Sequence, residues 1–170
     1  MDQKYIFPYQ TTLDHYTADA FVVRCFDNRF WRAFHAFIKQ RCLEHIDLES
    51  VAGGAKIFSS PEYEADRDFM TRELAKSVKL HHTKRAMLFT HHDCGAYGGI
   101  GHFGGNREAE LAFHCQEHQK ARDILAASFP DLAVENYFLD EQGIQQLIIE
   151  HVSKPYSPRN SRNSSENHKG

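Results

Sequence analysis

Ala20-Phe21-Val22-Val23-Arg24-Cys25-Phe26-Asp27-Asn28-Arg29-Phe30 changes character halfway along its length. Residues 20–23 are apolar and partly β-branched, the composition of a short buried strand. From Phe30 the period turns helical. Phe30, Phe34, Phe37 and Ile38 share one face while Arg32, Lys39 and Arg41 lie off it, which predicts a helix over about 29–44. The alternation then repeats. Val51-Ala52-Gly53-Gly54-Ala55 reads as the end of a second strand entering a glycine turn. Beyond Pro61, an acidic start at Glu62 and Glu64 leads into Phe69, Met70, Leu74 and Val78 at helical spacing, and Lys76 and Lys79 near its end suit the helix dipole. Arg85-Ala86-Met87-Leu88-Phe89-Thr90 is a third strand. A long helix over about 107–128 has Asn106 as its cap and Phe129-Pro130 as its stop. Residues 132–139 give a fourth strand and 144–152 a final short helix.

Strands alternating with helices imply an α/β fold: a mainly parallel sheet of about four strands, flanked by helices on both faces. At 170 residues the chain has the length of one domain, and it can close one apolar core without disulfides. The expected organisation is an irregular arm over 1–19, a domain over 20–152, and a disordered tail over 153–170, where no aliphatic side chain occurs after Val152.

Hydrophobic residues at 41% and charged residues at 25% are ordinary for a globular protein. A net charge of -3 gives no basic surface for nucleic acid or an anionic membrane. No apolar run reaches the length of a membrane span, and the N-terminus lacks a signal-peptide pattern, so the expected location is cytoplasmic. In that reducing compartment Cys25, Cys42, Cys94 and Cys115 are packing residues, metal ligands or nucleophiles rather than disulfide partners.

Position separates them. Cys25 follows the first strand, Gly53 and Gly54 the second, and His91 with Cys94 the third. In a parallel sheet with right-handed crossovers, those loops open on one edge, where such folds carry their chemistry. Two thiolates and an imidazole suit zinc, and three protein ligands leave a fourth position open, as catalytic zinc requires. Asp27 lies two residues beyond Cys25, within reach of that position or its water, and Arg29 can hold the Asp27 carboxylate through paired N–H donors.

The spacing Cys25-x-Asp27-x-Arg29, with His91-x-x-Cys94-Gly95 downstream, resembles the β-class carbonic anhydrases. The likeness extends to Ala52-Gly53 and Asp93, and in element order it covers roughly 20–140. It implies that Cys25, His91 and Cys94 are zinc ligands, with Asp27 and Arg29 the catalytic dyad. It also implies reversible hydration of CO₂ to bicarbonate by zinc-bound hydroxide, in a homodimer or higher homo-oligomer. Relatives on the same scaffold hydrolyse carbon disulfide or carbonyl sulfide, and a non-catalytic zinc-binding or sensory module is a further reading. Asn28 stands where that family usually has Ser, and the N-terminal arm is shorter than its usual helical extension.

Plainer readings stand beside these. Asp27 and Arg29 also fit a helix cap and a solvated ion pair. His91 and His92 are adjacent; the spacing to Cys94 and the family pattern favour His91 as ligand. His92 and His102 are candidates for proton relays. His114 and His118, one turn apart with Cys115 between, have a metal-binding spacing without a third ligand, so they read as a partly buried helix face. Cys42 and Cys115 read as packing residues. His81 and His82 suit a helix C-terminus. Gly99, Gly101 and Gly104 form a G-x-G-x-x-G, but its first glycine comes nine residues after Thr90, too far to turn directly off the strand as a dinucleotide site requires.

Overall fold

A computed structural model describes residues 4–149, so the tail expected over 153–170 lies outside the described residues. The apolar run at the start of the deciding segment is β1 (Ala20–Arg24), buried along its whole length. It pairs on both sides in parallel, with β2 (Ile46–Ser50) and β3 (Arg85–His91). Strand β4 (Ala133–Asp140) adds to β3 in parallel, and β5 (Gly143–Gln146) closes the edge antiparallel to β4. The sheet order is β2-β1-β3-β4-β5, a mainly parallel α/β sheet of the expected class.

Side-chain alternation along the strands divides the core into two layers. Phe21 and Val23 of β1, with Ala86 and Leu88 of β3, face three helices: α2 (Lys56–Ser59), α3 (Glu64–His81) and α4 (Arg107–Ser128). Phe58, Met70, Leu74, Ala121 and Leu125 fill that layer. Ala20, Val22, Met87, Phe89, Tyr137 and Leu139 face the opposite way, where α1 (Trp31–Gln40) covers them with Phe34 and Ile38. Each fully buried Phe, Leu or Met in these layers contributes about 1.5–3 kcal/mol by leaving water.

Three local readings change. The helix expected over 29–44 begins with a separate 3₁₀ turn at Asn28–Phe30 and ends at Gln40. Cys42, beyond its end, is exposed in a left-handed conformation (φ 52°), so it is not a packing residue. The segment expected to start a helix at 144 instead forms β5. The Asp140 carboxyl group accepts N–H bonds from Gln142 and Gly143, closing a tight turn that folds the chain back along β4, and Ile144 packs into the α1 layer. An apolar run this short carries no period that separates strand from helix.

Residues 4–18 form no helix or strand, and Tyr5, Ile6, Phe7, Tyr9 and Leu13 are exposed on this arm. It is tied to the domain at Tyr16, whose hydroxyl donates to Asp47 of β2, and at Ala18, whose N–H donates to the carbonyl of His81. Among the described residues no helix is long and apolar enough to cross a membrane.

Candidate metal centre

Because β1 and β3 are parallel neighbours, the chain following each emerges at the same sheet edge. Cys25 directly follows β1, His91 is the last residue of β3, and Cys94 comes one tight turn later. One donor atom from each lies within 4.8 Å of the others, and all three residues are buried. The imidazole geometry decides what the cluster can hold. His91 Nδ1 donates to the backbone carbonyl of His92 at 2.8 Å, which leaves the Nε2 lone pair facing the sulfurs. That Nε2 is buried with no hydrogen-bond partner among the described residues. An unpaired buried acceptor beside two thiols is costly alone and satisfied by a cation. The S₂N donor set fits zinc, with a fourth position for a non-protein ligand.

The two thiols ionise as a pair. Cys25 is held well below the ordinary thiol range, chiefly because the Cys94 thiol donates to it, while its own burial opposes the shift. Cys94 is pushed up by sharing its proton with Cys25, and then by burial. A divalent cation binding both sulfurs would displace the shared proton.

Asp27 combines both readings of its position. Its Oδ1 accepts the backbone N–H of Arg29 at 2.9 Å, capping the 3₁₀ turn at Asn28–Phe30. Arg29 Nε reaches both carboxylate oxygens at 3.1 and 3.0 Å, and Nη2 reaches Oδ2 at 2.8 Å. These contacts from Arg29 hold the Asp27 carboxyl down to about 2. Its Oδ2 lies 3.8 Å from His91 Nε2, so the carboxylate stands beside the donor cluster while remaining paired with Arg29. Arg29 also binds Asp93, through Nη1 to Oδ2 at 3.1 Å and Nη2 to the carbonyl at 2.9 Å. Asp93, at φ 55°, receives the Ile100 N–H on Oδ1 at 3.0 Å. Arg29 thus ties the loop carrying Cys25 to the turn between His91 and Cys94. Sequence reading gave Asp93 no role.

Glycine at position 54 is required here. Gly54 has φ +57°, and a Cβ there would lie 2.0 Å from the Phe89 carbonyl oxygen and 2.9 Å from the Cys25 nitrogen. The turn after β2 thereby packs against β3 and Cys25 with no room for a side chain. A cleft of about 510 Å³ opens over the cluster, lined by Cys25, Asp27, His91 and Cys94 with Phe26 and Ala52 among its apolar walls.

The remaining histidines separate clearly. His114 and His118 are fully buried rather than partly so. His118 Nδ1 meets Asn136 Oδ1 at 2.9 Å and its Nε2 meets the Thr90 hydroxyl at 3.0 Å, so its ring is occupied by hydrogen bonds. His102 is exposed on the glycine loop, and His92 is half-buried with Nδ1 2.5 Å from Glu110 Oε2. Between β3 and α4 the glycines form two separate 3₁₀ turns, Gly95–Tyr97 and Ile100–Phe103, in place of a phosphate loop. Glu110 is 1% exposed on α4 and was not anticipated. Its only sequence signal is helical phase, one turn before His114 and two before His118.

Residues 16–149 match the model of a family described as "Putative carbonic anhydrase". An uncharacterised protein of Rickettsia conorii is 29% identical over 136 residues, covering 78% of this chain and 73% of that protein. A β-carbonic anhydrase of the fungus Aspergillus fumigatus superposes with a TM-score of 0.55 at 13% identity, over 80% of this chain and 78% of that one. One of two tetrameric β-carbonic anhydrases from Sordaria macrospora gives 0.53 at 15%, over 78% and 81%. At such identities the structural likeness speaks for the fold alone. The family match spans both halves of the donor cluster and the sheet that brings them together, and on it the chain belongs to this carbonic anhydrase family.

Proposed function

We propose that this chain is a zinc-dependent carbonic anhydrase that reversibly hydrates CO₂ to bicarbonate, with Cys25, His91 and Cys94 as metal ligands and Asp27 and Arg29 as the catalytic dyad. One observation carries the reading: His91 Nε2, oriented by the bond from Nδ1 to the His92 carbonyl, is a buried lone pair with no hydrogen-bond partner among the described residues, and it converges on two cysteine sulfurs. Zinc there supplies a Lewis acid that lowers the pKa of a coordinated water from about 16 to near 7.

The chain's own residues do the rest. Arg29 keeps Asp27 ionised at any physiological pH, so this carboxylate is a hydrogen-bond acceptor only. Beside His91 Nε2 it orients an O–H donor and leaves that oxygen's lone pair free for attack, rather than storing the proton itself. Phe26, Ala52 and Ala96 line the cleft with apolar surface, which suits a small apolar substrate such as CO₂. Pairing of Asp27 with Arg29 supports a fourth position left to solvent.

A homo-oligomer is the proposed assembly, supported by the tetrameric Sordaria proteins and by the exposed aromatic residues of the arm. A cytoplasmic location is proposed because a reducing compartment keeps Cys25 and Cys94 from oxidising together. Metal analysis followed by stopped-flow CO₂ hydration tests the function. The expected result is about one zinc per chain with rapid hydration at pH 8. Zinc without hydration overturns the anhydrase reading in favour of heterocumulene hydrolysis or a non-catalytic module.

A further inference from the structure

We propose that Glu110 is a positioning residue for the metal loop, setting the geometry in which His91 and Cys94 meet the ion; this rests on the zinc reading above. Glu110 sits in the first turn of α4, is 1% exposed, and points at the turn between the two ligands. Its Oε1 accepts the backbone N–H of Asp93 at 2.7 Å, and its Oε2 meets His92 Nδ1 at 2.5 Å. Both residues between His91 and Cys94 are therefore held by one side chain from another element.

That turn needs holding. Asp93 is in the left-handed region at φ 55°, which is unfavourable for a residue with a Cβ. The backbone of His92 is also the acceptor that fixes the His91 ring, through its carbonyl at 2.8 Å. Glu110, by gripping His92 and the Asp93 N–H, fixes the peptide that carries this carbonyl. The path from α4 to the donor atom is Glu110, the His92–Asp93 peptide, the His92 carbonyl, then His91 Nδ1 and Nε2. Arg29 holds the same turn from the solvent side through the Asp93 carbonyl and Oδ2. Glu110 holds it through a side chain that is itself buried.

Glu117, on the same helix and equally buried, provides the contrast. Its carboxyl group receives the Ser59 hydroxyl at 2.7 Å, the Ser60 hydroxyl and Lys120 at 2.7 Å, partners that all lie outside the turn between His91 and Cys94. Its loss should harm folding without touching coordination.

The test compares wild type, Glu110→Gln, Glu110→Ala and Glu117→Ala by zinc affinity in chelator competition and by the visible spectrum after Co²⁺ substitution. Glu110→Gln retains an acceptor for the Asp93 N–H and should stay within about threefold of wild type. Glu110→Ala should bind zinc about 10–100-fold more weakly, the usual loss for a partner that orients a metal ligand, with altered cobalt bands. Glu117→Ala should lose thermal stability and keep the wild-type spectrum. Should Glu110→Ala not fold, Glu110→Asp replaces it, since a carboxyl group one methylene short cannot reach both partners and should lose about tenfold. Wild-type affinity and spectrum in folded Glu110→Ala or Glu110→Asp overturns the proposal. Absence of zinc binding by the wild type overturns the metal reading instead.

Discussion

Acidification should destabilise this protein through helix α4, and His114→Leu should remove about half of that loss. Burial holds the His114 imidazole down to about 3 and that of His118 down to about 4, against 6.5 for a solvated ring. Between pH 6.5 and 4 the unfolded chain binds two protons that the native chain refuses, so stability falls as pH falls through that window. At pH 5.0, one and a half units below the unfolded value, each ring costs about 2 kcal/mol and the pair about 4. That is a large part of the 5–15 kcal/mol of a typical domain. Leucine can occupy the site of His114, whose ring packs among Tyr97, Phe113 and Phe138 and has no hydrogen-bond partner among the described residues on either nitrogen. At pH 7.5 the variant should be at least as stable as wild type, because two unpaired buried nitrogens are gone. Urea unfolding of both proteins at pH 7.5 and 5.0, with chelator throughout, measures the effect. The stability lost by wild type should exceed that lost by His114→Leu by about 2 kcal/mol, roughly 1 M in midpoint for an m-value near 2. Protonation of the unliganded metal site is common to both proteins and cancels in the difference. Equal losses would refute the claim that His114 stays neutral in the folded state.

Cys94→Ala should abolish stoichiometric zinc binding while His92→Ala retains it, as read by metal analysis; the reverse pattern breaks the ligand assignment. Asp27→Asn should keep zinc and reduce CO₂ hydration about 10²–10⁴-fold in stopped-flow assays, and an unchanged rate would leave Asp27 as a cap alone. Gly54→Ala should fail to fold or lose more than about 3 kcal/mol, because its Cβ falls 2.0 Å from the Phe89 carbonyl oxygen; a near-wild-type melting temperature would contradict that close approach.

The strand–helix alternation was legible because buried parallel strands are short apolar runs and α1, α3 and α4 each carry an apolar face. The helix α4 was readable to its ends, with Asn106 capping it and Phe129 outside it. Strand β2 was harder. It is an edge strand with Asp47 and Glu49 among its five residues, and only the glycine turn after Ser50 announced it. The turn to β5 depends on a local carboxylate bond from Asp140 that composition does not single out.

At the candidate metal centre the sequence by itself named Cys25, Asp27, Arg29, His91 and Cys94, because the first three follow β1, His91 ends β3 and Cys94 comes just after it, and parallel strands bring those positions to one edge. It left open whether Asp27 caps a turn or pairs with Arg29, and the fold answers that one carboxylate does both. Only the tertiary structure decided which imidazole nitrogen is free, since that follows from a bond to the neighbouring carbonyl. Only it brought Glu110 to the turn between the ligands. Candidate ligands are recognised from residue chemistry at short range along the chain. The groups that hold the turn between His91 and Cys94 are distant in sequence, here a side chain of α4.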